Sequence, residues 1–473
     1  MSQHDFDITT ADANTGITFR ASINDALQAL ASISSGSTPP AMVYPYMFWV
    51  DTSTSSPSLR QRNVANTAWI HKGRIDEEYN GVLPLTVTKT GTWRFVPAIL
   101  LQAAGAIQLL DSSVINPSGK WVSAISYVES NSTYGKEITT LRFDDLGGVI
   151  GTVAITSCML MTSLEFTSLI NVGGIFAQTN LPALTTLATP ELQNIAGACN
   201  QASLTLLQTI SFPKLTTLGS TFSPATLPQL HTLNIPLLST INSHFTLTDI
   251  PLLTTISAPA LVSIAGNFST SSMLGLTSIN FPELQFVGGN FQPSSAANLT
   301  SVSVPKLDLV GGSFNITNDD FLIVLTLTKL RMVVGAISMT NVLALTTLNF
   351  PALTTITDFN VVGMGALGTI SLPVIDSILG YFSMTSSTAG VTSITLGASL
   401  KKVGGNFTIT SAALTQASVD GILARLAALN GSNGTTAYSS KAITITGTSA
   451  TPSAAGLASK ATLVARGCTV THN

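Results

Sequence analysis

Apolar and polar positions in this chain follow one rule over most of its 473 residues: a single pattern returns every 23 residues. Its anchors are Asp144, Thr167, Pro190, Pro213, Pro236, Pro259, Pro282, Pro305, Thr328 and Pro351, with looser copies at Pro373 and Ala398. The copy around Pro282 reads Leu276, Ile279, Phe281, Leu284, Val287, Gly289, Phe291. Its neighbour reads Leu253, Ile256, Ala258, Leu261, Ile264, Gly266, Phe268. Aliphatic columns run from Leu146 to Leu400 and from Val149 to Val403. A phenylalanine column follows: Phe176, Phe222, Phe245, Phe268, Phe291, Phe314, Phe382 and Phe407. Val153, Cys199 and Ile337 fill three gaps, and Asn360 interrupts the column with Phe359 beside it.

A spacing of three fits a helix face as well as a solenoid corner. Proline decides between them, because a proline inside a helix costs about 3 kcal/mol and would recur in most copies. Thr, Val, Ile and Phe fill the segments between turns, so the pattern predicts short β-strands joined by Pro and Gly corners. The predicted fold is mainly β: a parallel β-solenoid of about twelve coils over residues 138–410. At about 4.8 Å per coil this makes a rod of roughly 60 Å. About six inward side chains per coil cannot offset the ordering of its backbone, so stability must come from stacking. The phenylalanines Phe222, Phe245, Phe268, Phe291, Phe314 and Phe407 are first a packing ladder.

The flanks differ. Residues 16–34 predict an amphipathic helix with Phe19, Ile23, Ala26, Leu30 and Ile33 as a short apolar seam, either a candidate oligomerisation or attachment surface or the face of an ordinary core-facing helix. SSGSTPP predicts a linker, followed by strands at 46–51, 58–62 and 67–72. Residues 1–80 thus form one module and 81–137 a β-rich connector that opens the solenoid. Residues 411–473 alternate helix and strand patterns, with Ser418 as a candidate N-cap and Ile422, Leu426 and Leu429 on one helix face. They predict a small α/β cap over the last coil.

Only 9% of residues are charged and the net charge is −3, which argues against a nucleic-acid partner. No apolar run reaches the roughly 20 residues of a membrane span. The start, MSQHDFDITTADANTG, has neither a basic nor an apolar signal region, as expected of a particle component released by lysis. Cys158, Cys199 and Cys468 show no metal or disulfide spacing. His4, His71, His231, His244 and His472 form no metal motif. Glu165, Glu191, Asp249, Glu283 and Asp308 look isolated, and Asp319–Asp320 sit near a turn, where a solvated turn is favoured over a cation site. Asp358 and Asp376 fall in successive coils at non-equivalent positions, a weak candidate for the paired carboxylates of glycan cleavage. The recurring Gly-Gly pairs, such as Gly288–Gly289 and Gly311–Gly312, predict corners rather than phosphate loops. Thr-Thr pairs, such as Thr254–Thr255 and Thr354–Thr355, predict a hydroxyl-bearing outer surface that lacks an aromatic platform other than Tyr381. No catalytic residue, metal or cofactor is expected.

The segments "FPELQFVGGNF", "APALVSIAGNF" and "FPALTTI" resemble the leucine-rich-type β-solenoids of receptor L-domains, fungal Ecm-type wall proteins and BspA-like repeats. The block "HDFDI…FRASINDALQALAS…YPYMFWVDTSTSSPSLRQRNVANTAWIHKG" resembles the N-terminal module of tail-fibre proteins from tailed bacteriophages, over roughly residues 3–75. The C-terminal segment is similar to caps on phage and bacterial proteins with such repeats. The resemblance implies a non-enzymatic tail fibre in the virion, acting at the bacterial surface. Its partners would be other tail proteins, through the N-terminal module, and a host surface glycan or outer-membrane protein. A homotrimer is implied by the same resemblance alone. The competing expectations are a polysaccharide depolymerase of the tailspike type, another virion fibre, or a BspA-like surface adhesin.

Overall fold

The computed structural model describes residues 35–39, 48–53, 58–74, 107–108, 121–122, 125–128, 140–143 and 146–473 except 295 and 386–389. The expected helix over 16–34, with Phe19, Ile23, Ala26, Leu30 and Ile33, lies outside these residues. The chain forms two compact units, Met1–Gly91 and Thr92–Asn473.

In the first unit, Phe48–Asp51, Ser58–Arg62 and Trp69–Arg74 form an antiparallel meander. The turn between the last two is closed by Asn63, whose Oδ1 accepts the Thr67 amide at 2.7 Å and the Ala68 amide at 3.1 Å. Trp49 is buried beside Trp69, with ring centroids 5.4 Å apart, and Arg60 and Arg62 lie over the two rings. Within the stretch expected to be a linker, Ser35–Gly36 pairs parallel to Val50–Asp51.

The second unit is a parallel β-solenoid of about 14 turns. One coil shows the plan. Ser263–Ile264 lies on the first face, Phe268–Ser271 on the second and Ser278–Asn280 on the third. Each strand pairs with its equivalent one coil on: Ile264 with Val287, Phe268 with Phe291, Ile279 with Val302. Alternation along each strand sends every second side chain inward. A coil buries more than the six side chains expected: Phe245, Leu247, Ile250, Leu253, Ile256, Ala258, Leu261 and Ile264 are all buried in one. Each contributes roughly 1.5–3 kcal/mol, but only because the coils above and below complete its surroundings.

The phenylalanine ladder forms as expected. Phe222, Phe245 and Phe268 meet edge to face with centroids 5.4 Å apart. Phe291 and Phe314 stack at 5.1 Å, and Phe382 and Phe407 at 4.4 Å. Asn360 does not break the ladder. The coil leading to it is one residue short, so Phe359 pairs with Ile337 behind and Phe382 ahead, while Asn360 faces outward. The lost residue comes from the corner between the first and second faces, where Thr355–Val362 runs as one strand.

Two corners are held by polar side chains. Between the second and third faces, one residue per coil adopts a left-handed backbone: Ser157, Asn180, Ser203, Thr226, Asp249, Ser272, Asn318 and Asn341. Such residues are mostly Asn, Asp or small hydroxylated types because their side chains can bond locally. Some also bond along the rod, as Asn341 Nδ2 does to Asn318 Oδ1 at 3.0 Å. Between the first and second faces, the residue before the phenylalanine accepts the amide one coil ahead. His244 Nδ1 accepts the Asn267 amide, Asn267 Oδ1 that of Asn290, and Asn290 Oδ1 that of Ser313.

The C-terminal segment is more than a lid. Phe407–Ala412 pairs parallel with Ala442–Gly447, which pairs with Thr469–His472, so the second face continues to the end of the chain. Two helices replace third-face strands: α1, Gln416–Ala427, and α2, Ala454–Ala465. The expected period ends near 410 because helices lengthen these coils, which adds turns to the twelve anticipated. Thr415, not Ser418, caps α1. Ser418 is buried, and its hydroxyl donates to the Ile394 carbonyl and accepts the Ile394 amide, closing the last third-face strand, Ser393–Leu396. An unpaired edge there would invite association with another chain. Ile422, Leu426 and Leu429 are buried as expected.

Candidate interaction surface

The solenoid sorts its charges by face. Second-face strands from Val153–Thr156 to Phe407–Ala412 contain one charged residue, Asp358 at the corner within Thr355–Val362, and third-face strands from Thr186–Ala188 to Ser393–Leu396 contain none. Outward positions on the second face are mostly Thr, Ser, Asn, Gln or Ala, as at Thr246, Thr248, Ser269, Ser271, Asn315 and Thr317, with Val362 an exception. The second face is two sheets joined through isolated bridges at Phe222 and Ala225, whereas the third is divided into four sheets. Charged pairs gather instead on the first face and the turn that leads into it.

The acidic residues that look isolated in the sequence are mostly not so in space. Lys214 reaches Glu191 at 2.6 Å, Lys306 reaches Glu283 at 2.7 Å and Lys401 reaches Asp376 at 2.6 Å. Arg331 holds Asp308 in the same way. Each pair joins adjacent coils. The Arg331 guanidinium holds the Asp308 carboxyl below its usual range, and Lys401 does the same for Asp376. Asp358 Oδ1 accepts the Tyr381 amide at 2.8 Å, so both members of the weak carboxylate pair serve in coil stacking.

The hydroxyl pairs divide their roles. The first Thr of a pair donates to a carbonyl one coil back: Thr185 to Thr162, Thr216 to Gln193, Thr354 to Arg331. The second stands on the strand; Thr186 and Thr255 are exposed there. The Gly-Gly pairs are corners, with amides engaged between coils: Gly288 donates to Ile264 and Gly289 to Gly266.

His231 Nδ1 lies 3.3 Å from the Gln229 carbonyl, and His244 belongs to the corner ladder. Among the described residues no group of three His, Cys, Asp or Glu side chains could hold a metal. Cys199 fills the phenylalanine column, where burial pushes its thiol up to about 12. Beside it lie Gln201 and Gln178, a buried amide pair joined at 3.0 Å.

Two features were missed in the sequence. Asp319 is not at a solvated turn but buried, in the column of Ile250, Met273, Ala296 and Val342. And Tyr381 is not alone as an outward aromatic of the coils: Phe321 is 58% exposed, and Phe286 stands on the first face in register with Leu309 and Met332. Alignment of the coils by the left-handed corner would have shown both.

Comparison with known proteins finds no matching family model, no matching curated protein and no matching solved structure.

Proposed function

We propose that the protein is a non-enzymatic fibre of a tailed-phage virion that binds the bacterial surface through its solenoid. The observation that carries this reading is the second face, whose outward side chains are mostly hydroxyls and amides, with charge confined to Asp358 at one corner. Such a surface suits many weak hydrogen bonds to a repeating polar partner, a surface glycan before an outer-membrane protein, and repels neither sign of charge. The tail-fibre-like block at residues 3–75 supports attachment to other tail proteins, and with it assembly as a trimer. Glu191, Glu283, Asp308, Asp358 and Asp376 are engaged between coils, which is consistent with this reading. The test is binding of the purified protein to a panel of bacterial strains and their extracted envelope glycans, with the glycan length measured before and after. Binding without shortening is the expected result. Release of reducing ends would replace it with the depolymerase reading, and absence of binding across strains that the parent particle infects would remove the recognition role.

A further inference from the structure

In the coil from Phe314 to Gly335, one turn departs from the repeat while Phe314, Ile316, Leu322, Leu327, Leu330 and Val333 stay buried. Its neighbours set Ile250, Met273, Ala296 and Val342 against the core, and it sets Asp319 there, fully buried. At the outward positions of Leu252, Thr254 and Thr255 it presents Phe321, Ile323 and Val324, which are 58%, 59% and 49% exposed. Charge inside and apolar surface outside, within one turn, set local chemistry against the global fold; such conflicts concentrate where a protein does something besides fold.

The buried carboxyl is incompletely satisfied. Oδ1 accepts the Ala296 amide at 3.2 Å, while Oδ2 is buried without a hydrogen-bond partner. No cation offsets it. Asp320, of like sign, is the charged neighbour that acts on it, and the turns packed below and above, 296–298 and 341–343, carry no titratable side chain. Burial, aided by Asp320 and opposed by the Ala296 amide, pushes the carboxyl up to about 7.

One of the three breaks in the third-face ladder falls at the same place. Val324–Thr326 pairs back to Ser301–Ser303 but not forward to Thr347–Asn349. Leu325 is only partly buried, although Ile279, Val302 and Leu348 in the same column are buried. The coil stays anchored on its other two faces, where Phe314 pairs with Ile337 and Met332 with Thr355.

We propose that the turn 319–326 is a pH-gated joint, closed on the core while Asp319 is protonated and released when it ionises. On release the carboxylic acid gives its proton to water and the resulting carboxylate moves to solvent, and the segment from Phe321 to Leu325 leaves the coil while the first and second faces hold the rod together. The closed turn is favoured below the carboxyl's ordinary range and loses that advantage as pH rises towards neutrality.

Hydrogen exchange with mass spectrometry on the full chain, from pH 5 to 8 and corrected for intrinsic rates, tests this. Protection of 319–326 is expected to fall by about tenfold per pH unit up to neutrality and then level off, while coils such as 245–271 keep theirs. In Asp319→Asn, and in Asp319→Val, which matches Val342 in the column, protection of the turn should not vary with pH. A flat response in the wild-type chain overturns the proposal without recourse to any variant. So does a response that survives in Asp319→Asn.

Discussion

Asn290 and Ser313 are joined across two coils: the Asn290 side chain accepts the Ser313 amide at 2.8 Å. The bond depends on the residue before Ser313. A Cβ at Gly312 would stand 2.3 Å from Asn290 Oδ1, and one at Gly289 2.0 Å from Asn267 Oδ1, so the second glycine of these two pairs makes room for the asparagine behind it. Asn290→Ala leaves the Ser313 amide without its acceptor and should destabilise by about 1–3 kcal/mol. Gly312→Ala should destabilise too, and the double variant by less than the sum, because the oxygen that the new methyl meets is gone. Denaturant unfolding of the four proteins measures the coupling. Strict additivity would mean that the glycine serves the backbone alone.

Phe382 stacks on Phe359 at 4.7 Å and on Phe407 at 4.4 Å. Truncation there removes two ring contacts and opens a cavity in a column that neighbouring coils cannot collapse. Phe382→Ala should cost about 3–5 kcal/mol. Because coils interact with their neighbours, the loss should appear first as reduced hydrogen-exchange protection on either side of residue 382. Uniform loss over the whole solenoid would contradict nearest-neighbour stacking.

Carboxylates in this rod push stability in opposite directions with pH. Asp308 and Asp376 are held low by Arg331 and Lys401, so their contribution is present above the ordinary carboxyl range and lost as pH falls through it. These pairs are exposed, and salt should weaken them. Asp319 is raised to about 7, so its contribution is present below the ordinary range and is lost as pH rises towards 7. Asp319→Val should therefore raise the melting temperature near pH 7.5 and change it little or lower it near pH 4. A melting temperature that moves equally at both values would show that the substitution acts through packing alone.

The period, the strands between corners and the phenylalanine ladder were legible because stacking repeats the same inward residues at fixed spacing. Phe359 stands one position short of the regular spacing from Pro351, because the deleted residue lies between the two. The C-terminal coils were hidden by α1 and α2, which break the spacing while the second-face strands still pair. The ion pairs Glu191–Lys214 and Glu283–Lys306 were written in the period itself, since each acid stands one coil before its base. The burial of Asp319 needed its column, because a pair of aspartates beside a turn has the composition of a solvated loop.

If the second face is the recognition surface, charge placed on it should abolish binding without unfolding the rod. Thr248 and Ser271 are exposed and pair in register, so Thr248→Lys with Ser271→Lys puts two cations side by side on strands that carry no charge. Both side chains point away from the core, and substitutions of this kind change stability by about 0.5 kcal/mol or less. Leu237→Lys, on the turn into the first face where charge already gathers, is the matched control. Binding to cells or glycan should fall at least about tenfold in the double variant, a loss of about 1.4 kcal/mol, and stay unchanged in the control. Equal loss in both would point to general electrostatic repulsion, and retention in both would move recognition off the second face to the exposed apolar turn at Phe321 or to the other unit of the chain.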